Sequence, residues 1–262
     1  MAAELTGKVA VVTGGSRGIG EAITERLSAE GVDCLIVART AGDLEATATR
    51  ISSATGRSVV WHAADLRTLE ACESVRDRIQ ETLGGVDILV NCAGATQGGA
   101  FLDLADDVWL DGFALKFWAA VRLSRLLWPM LRESHGNVVN IVGGLARTPA
   151  PDIMIGGAVN AALANFGKAL AGQGLRDDVN VNTVHPGQTV TSRLDELLTS
   201  RAAQAGVTPE EFKTRIIERQ GVRRLGTPED VANAVAFLCS PAARHIQGVA
   251  LAVDGGATAG LF

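Results

Sequence analysis

Seven short runs rich in β-branched residues recur through the whole chain, and longer helix-like segments separate them; this alternation most constrains the fold. The runs lie at 9–12, 34–37, 58–61, 86–90, 137–142, 179–184 and 249–253. Most are continuously apolar, which suits strands covered on both faces. Between the first two, Ile19, Ile23 and Leu27 repeat every four residues and make one apolar helix face, with Gly31 as its stop. Thr227-Pro228-Glu229-Asp230 reads as a helix start, after which Val231, Val235 and Leu238 face a core. Strand and helix alternating to the end predict an α/β fold, a doubly wound, mostly parallel seven-stranded sheet with helices on both faces. No linker or repeat interrupts 1–262, so one domain is expected. The polar, helical segment 189–223, inserted between the last two strands, reads either as a substrate lid or as a static decoration.

Composition removes several classes of function. A formal net charge of −5 argues against a nucleic-acid partner, since phosphate backbones need a basic face. The apolar stretch 113–131 is broken by Lys116, Arg122 and Arg125, so no membrane partner is expected. The first eight residues hold no apolar signal-like core, and a cytoplasmic location follows as the expectation. Cys34, Cys72, Cys92 and Cys239 are scattered without metal-ligand or disulfide spacing, which predicts small buried thiols and no metal site.

The chemistry starts where the first run enters Thr13-Gly14-Gly15-Ser16-Arg17-Gly18-Ile19-Gly20 and then a helix. Glycines let the backbone turn sharply and approach a pyrophosphate held at a helix N-terminus. The strand before and the helix after make this a Rossmann dinucleotide site, with Gly14, Ser16, Arg17, Gly18, Ile19 and Gly20 as its contacts. Cofactor choice is set at the end of the second strand, where an acid would bind both ribose hydroxyls. Here stands Ala38-Arg39, and Arg17 sits in the glycine turn. Two guanidiniums suit a 2′-phosphate, so NADP is expected ahead of NAD, although either arginine also reads as a solvated surface residue.

The spacing TGxxxGxG resembles the short-chain dehydrogenase/reductase family. Further matches follow in order: Asp65-Leu66 after the third strand, Asn91-Cys92-Ala93-Gly94 after the fourth, Pro186-Gly187 after the sixth, and Val253-Asp254-Gly255-Gly256 near the end. By this resemblance, Asp65 accepts a hydrogen bond from the adenine amine and Asn91 braces the sheet. Gly94, beside Ala93, lets the nicotinamide half pass close to the backbone. Gln188, Thr189 and Thr191 resemble the family's contacts to the nicotinamide carboxamide. A surface turn or cap remains the other reading of Asp65. The resemblance also implies a homotetramer or homodimer, paired through helices at 105–132 and 155–174.

Members of that family use an Asn–Ser–Tyr–Lys tetrad for proton transfer. Ungapped alignment puts Gly143 at the serine position, Gly156 at the tyrosine and Asn160 at the lysine, while Lys116 falls at the asparagine. The chain contains no tyrosine at all. Glycines at 143, 144, 156 and 157 suggest a roomier pocket. Lys116 is a candidate catalytic group, or else a lysine snorkelling from a helix. His185 is a candidate general acid, or else a structural histidine capping a strand. Arg147 and Asp152 could meet a polar substrate or form a solvated pair. The expected partner is an unidentified small molecule. Three readings stay open: an atypical NADP-dependent oxidoreductase acting on a carbonyl, alcohol or activated alkene; a non-catalytic dinucleotide-binding protein; and a non-redox enzyme of dehydration or isomerisation.

Overall fold

The structure is a computed structural model that describes residues 5–260, with the side chain of residue 193 set aside. The strands among them are β1 (Val9–Thr13), β2 (Asp33–Ala38), β3 (Val59–Ala63), β4 (Ile88–Asn91), β5 (Asn137–Ile141), β6 (Asn180–Pro186) and β7 (Ala250–Val253). They form one sheet in the order β3-β2-β1-β4-β5-β6-β7. Every pairing is parallel, so the expected mostly parallel sheet is parallel throughout.

Strand alternation sorts the core into two layers. Ala10 and Val12 of β1 point to one face, where α1 (Gly18–Ala29), α2 (Ala41–Thr55) and α9 (Pro228–Cys239) pack. Val11 points to the other, under α3 (Leu69–Thr82), α5 (Ala119–Glu133) and α6 (Met154–Asp177). Ile23 and Leu27 of α1 are fully buried, each contributing about 1.5–3 kcal/mol of apolar transfer. The start of α9 is fixed by Asp230, whose carboxylate accepts the Thr227 N–H at 2.8 Å. By length and composition α6 could cross a bilayer, but here it lies against β6 with Ile155, Val159 and Leu163 buried.

The helix expected across 105–132 forms, with one irregular turn inside it. After α4 (Asp106–Phe113), the turn Ala114–Trp118 is wider than an α-helix, with π-type hydrogen bonding, before α5 begins. Apolar periodicity continues through the turn, so the extra residue has no signature in the pattern.

The segment at 189–223 folds as a hairpin of α7 (Ser192–Ala205) and α8 (Pro209–Gln220), with Leu198, Ile216 and Leu225 as its own small core. Its two ends meet beside the sheet, where Val190 N–H donates to Gly226 O at 2.8 Å and Gly226 N–H to Gln188 O at 2.9 Å.

β1 lies between β2 and β4, which follow it in opposite directions across the sheet. That reversal opens a crevice at the carboxyl ends of the strands, the place where doubly wound sheets bind ligands.

Candidate active site

A cleft of about 470 Å³ runs along this crevice. Its lining brings together most residues predicted from sequence: Gly14, Ser16, Arg17, Gly18, Ile19, Gly20, Arg39, Leu66, Ala93, Gly94, Lys116, Gly143, Pro186, Gly187, Thr189 and Thr191. Asp65, Asn91, Gly156, Asn160 and His185 lie outside that lining. Residues that sequence reasoning did not single out also reach it, among them Thr40, Asp43, Leu115, Ile141 and Ser192. Thr40 had a signal, because it directly precedes the apolar periodicity of α2.

The glycine turn is built by close approach. Gly14 and Gly18 take φ of +69° and +58°, a region costly for residues with a Cβ. A Cβ on Gly20 would stand 2.2 Å from Gly14 O. Thr47 of α2 holds the turn from outside, donating to Ser16 O at 3.0 Å. Arg17 is extended and immediately precedes α1, so its guanidinium and the unpaired first N–H groups of that helix occupy one end of the cleft.

A second loop is fastened to the first strand. The Thr13 hydroxyl accepts the N–H groups of Cys92 and Ala93, both at 2.9 Å, and donates to Val90 O at 3.3 Å. Beneath it the Asn91 amide donates to Asn140 Oδ1 on the neighbouring strand at 2.9 Å and to Ser124 Oγ at 3.4 Å. Thr191 packs back against the glycine turn, its methyl 3.2 Å from where a Cβ on Gly18 would stand; it accepts the Leu194 N–H and caps α7, and Thr189 donates to Gly187 O.

Lys116 sits on the wide turn and lays its stem across Gly94. Its Cδ is 2.8 Å from where a Cβ on Gly94 would stand, so a side chain there would push the lysine stem aside. The ammonium is felt by two buried neighbours. It opposes the burial that pushes the Cys92 thiol up to about 12, and it adds to the lowering of His185.

His185 is buried beneath the cleft. Desolvation first, then the Arg147 charge, lowers its pKa to about 4. The ring is neutral at pH 7, which removes the imidazolium that the general-acid expectation requires. Arg147 donates to Ala250 O at 2.8 Å, and the expected Arg147–Asp152 pair is absent from the ion pairs among the described residues.

Gly156 and Asn160 are both packed against neighbours. The space beside Gly156 is filled, with Thr96 Oγ1 and Ile153 Cγ2 each 3.0 Å from a Cβ placed there, so no room is gained. Asn160 is buried and its Oδ1 accepts the Gly143 N–H at 3.0 Å, which turns it to its own backbone. Asp65 is held by Arg67, whose one terminal nitrogen lies 2.9 Å from each carboxylate oxygen.

Among the described residues no cluster of three metal-ligating side chains occurs. Burial pushes the thiols of Cys34 and Cys239 up to about 12 and that of Cys72 to about 11, so these are protonated fillers of the core.

The seven-stranded parallel sheet, the glycine turn and the cleft define a Rossmann oxidoreductase of the short-chain dehydrogenase/reductase class. A family model described as enoyl-(acyl carrier protein) reductase matches residues 14–258, and the chain belongs to that family. L-sorbose reductase from Gluconobacter frateurii, solved with NADPH and L-sorbose, is 33% identical, with full coverage of both chains and a TM-score of 0.96. A short-chain dehydrogenase from Burkholderia cenocepacia in complex with NADP is 33% identical over 97% of this chain and 99% of that one, with a TM-score of 0.86. The 3-oxoacyl-(acyl-carrier-protein) reductase of Haemophilus influenzae is 32% identical over 96% of this chain and 98% of its own.

Proposed function

We propose that this chain is an NADP-dependent oxidoreductase acting on a carbonyl, alcohol or activated alkene of a small molecule, with Lys116 in place of the family's tyrosine and lysine. The observation that carries this reading is the Lys116 stem lying across Gly94 inside the cleft that the glycine turn opens. The absent acid at the end of β2, the arginines at 17 and 39, and the NADPH and NADP of the related structures support the choice of cofactor.

The residues fit the group. The N-terminus of α1 would hold the pyrophosphate, Arg17 and Arg39 the 2′-phosphate, and Thr189 and Thr191 the carboxamide end. In the direction of reduction the dinucleotide, when bound, would supply the hydride, and in the direction of oxidation it would accept one. Lys116 stabilises negative charge as it develops on the substrate oxygen and donates the proton that neutralises it. Gly143, Gly156 and Asn160, at the family's serine, tyrosine and lysine positions, take no part in that transfer. Acid–base catalysis contributes roughly 10²- to 10⁴-fold, or about 3–5 kcal/mol of barrier, and Lys116 is the group in the lining suited to supply it. The α7–α8 hairpin serves as a lid carried on the single domain, and the outer faces of α5 and α6 pair two copies of the chain.

Fluorescence titration with NADPH and NADH, followed by turnover of a carbonyl panel by wild type and Lys116→Met, tests the reading. Tight NADPH binding with lysine-dependent turnover is expected. Tight binding without any turnover would instead favour a non-catalytic dinucleotide-binding protein, a reading that the engaged Asn160 and the filled space at Gly156 support.

A further inference from the structure

At the edge of the cleft away from Lys116, one arginine ties three elements together. Arg67 follows β3 and grips Asp65 with a single terminal nitrogen, at 2.9 Å from each carboxylate oxygen. Its Nε and other terminal nitrogen meet the Asp111 carboxylate on α4, the latter contact at 3.1 Å. Its own carbonyl accepts from Arg122 of α5 at 2.7 Å. The guanidinium is well covered while both carboxylates are about half exposed, at 24% against 50% and 51%.

The place matters more than the pair. Ala64 and Leu66, on either side of Asp65, line the cleft next to Ala38 and Arg39. The ribose of a dinucleotide sits at the end of β2, so its purine falls against this corner. A carboxylate has about four lone-pair sites. Arg67 approaches from one side and leaves the others able to accept. An ionised carboxylate accepts only, so it favours a purine with an exocyclic amine and penalises one with a carbonyl there.

We propose that Arg67, anchored by Asp111, is a positioning residue that fixes Asp65 as the acceptor for the amine of the cofactor's purine, making the Arg67–Asp111 pair a determinant of purine specificity. The inference rests on the dinucleotide reading above. A half-exposed aspartate without the clasp would have to be ordered at the moment of binding; with the clasp that cost falls on folding. Arg39 also acts on Asp111, adding to the lowering of its carboxyl by Arg67, so the phosphate end and the purine end share one electrostatic neighbourhood.

The test measures Kd for three reduced ligands: NADPH, its hypoxanthine analogue, and nicotinamide mononucleotide, which has no purine. Wild type should prefer NADPH to the hypoxanthine analogue by about tenfold. Arg67→Met should weaken NADPH by about tenfold while changing the analogue less than about twofold, so the preference disappears. Asp111→Asn should give a smaller loss in the same direction, and the double variant should be no worse than Arg67→Met alone. Unchanged mononucleotide binding would show that the variants are folded at the other end of the cleft. Equal weakening of both purine ligands, or none, would overturn the proposal. Wild-type protein that binds no dinucleotide would overturn the dinucleotide reading first, and this inference with it.

Discussion

The two ends of the cleft hold their shape by different means. At the glycine turn the backbone does the work: positive φ at Gly14 and Gly18, a contact distance at Gly20 that admits no Cβ, and a hydroxyl from Thr47 bracing from behind. At the opposite end the work falls to side chains, with Lys116 laid over Gly94 and Asn160 turned to Gly143. A backbone cradle tolerates little substitution where a Cβ would meet main-chain atoms, as at Gly14 and Gly20. A side-chain constellation can be exchanged one residue at a time while the sheet stays as it is. The cleft thus joins a turn fixed by main-chain contact to a wall whose shape rests on side chains such as Lys116 and Asn160.

The sharpest way to break this contrast is Gly20→Ala. Its Cβ would stand 2.2 Å from Gly14 O, so the turn must open. Loss of dinucleotide binding by at least about 100-fold is expected, with destabilisation of about 1–3 kcal/mol in urea unfolding. An alanine that binds NADPH normally would refute the backbone cradle. Lys116→Met should show the reverse pattern at the other end. Turnover of a substrate found for the wild type should fall by about 10²-fold, with NADPH affinity changed less than about threefold.

A third measurement separates the floor of the cleft from its walls. His185 has a folded pKa of about 4 against an ordinary value of 6.5, so the unfolded chain binds more protons between those limits. Stability should be fully present above pH 6.5 and decline as pH falls toward 4, by about 3 kcal/mol. His185→Gln should flatten that part of the profile, and an unchanged slope would mean that other groups carry it. The smallest effects belong to the phosphate end. Arg39→Ala should reduce the preference for NADPH over NADH by about tenfold. Asp43 lines the same end of the cleft with a negative charge. Asp43→Asn should therefore raise NADPH affinity by about two- to threefold, read in the same titration at low salt.

How much of this was legible in the sequence follows the same division. Strand runs such as Cys34-Leu35-Ile36-Val37 are apolar because both faces are covered, so their positions could be read to within one or two residues. The glycine turn was legible because its backbone demands particular residues at fixed spacing. Lys116 was reached by counting along a helix whose irregular turn the pattern does not show, and it lines the cleft. Long-range side-chain geometry was not legible. Nothing in the chain announces that Arg67 reaches Asp111, 44 positions away, or that Thr96 fills the space beside Gly156. The burial of His185 was not legible either, because a histidine's ordinary titration range says nothing of its surroundings.

The wide turn at Ala114–Trp118 gives Lys116 an unusual kind of setting. An α-helix advances about 100° per residue. One residue more or fewer inside such a turn changes the angular phase of everything on one side relative to the other. The reach of Lys116 toward Gly94 is thus set by a count and not by a gradual adjustment. Point substitutions around it can tune packing by fractions of an ångström, but a single deletion there would swing the lysine away from the cleft in one step. Relatives with a regular helix at this place would need a different residue number to present the same ammonium, so an insertion or deletion here is an on–off event in the history of the site.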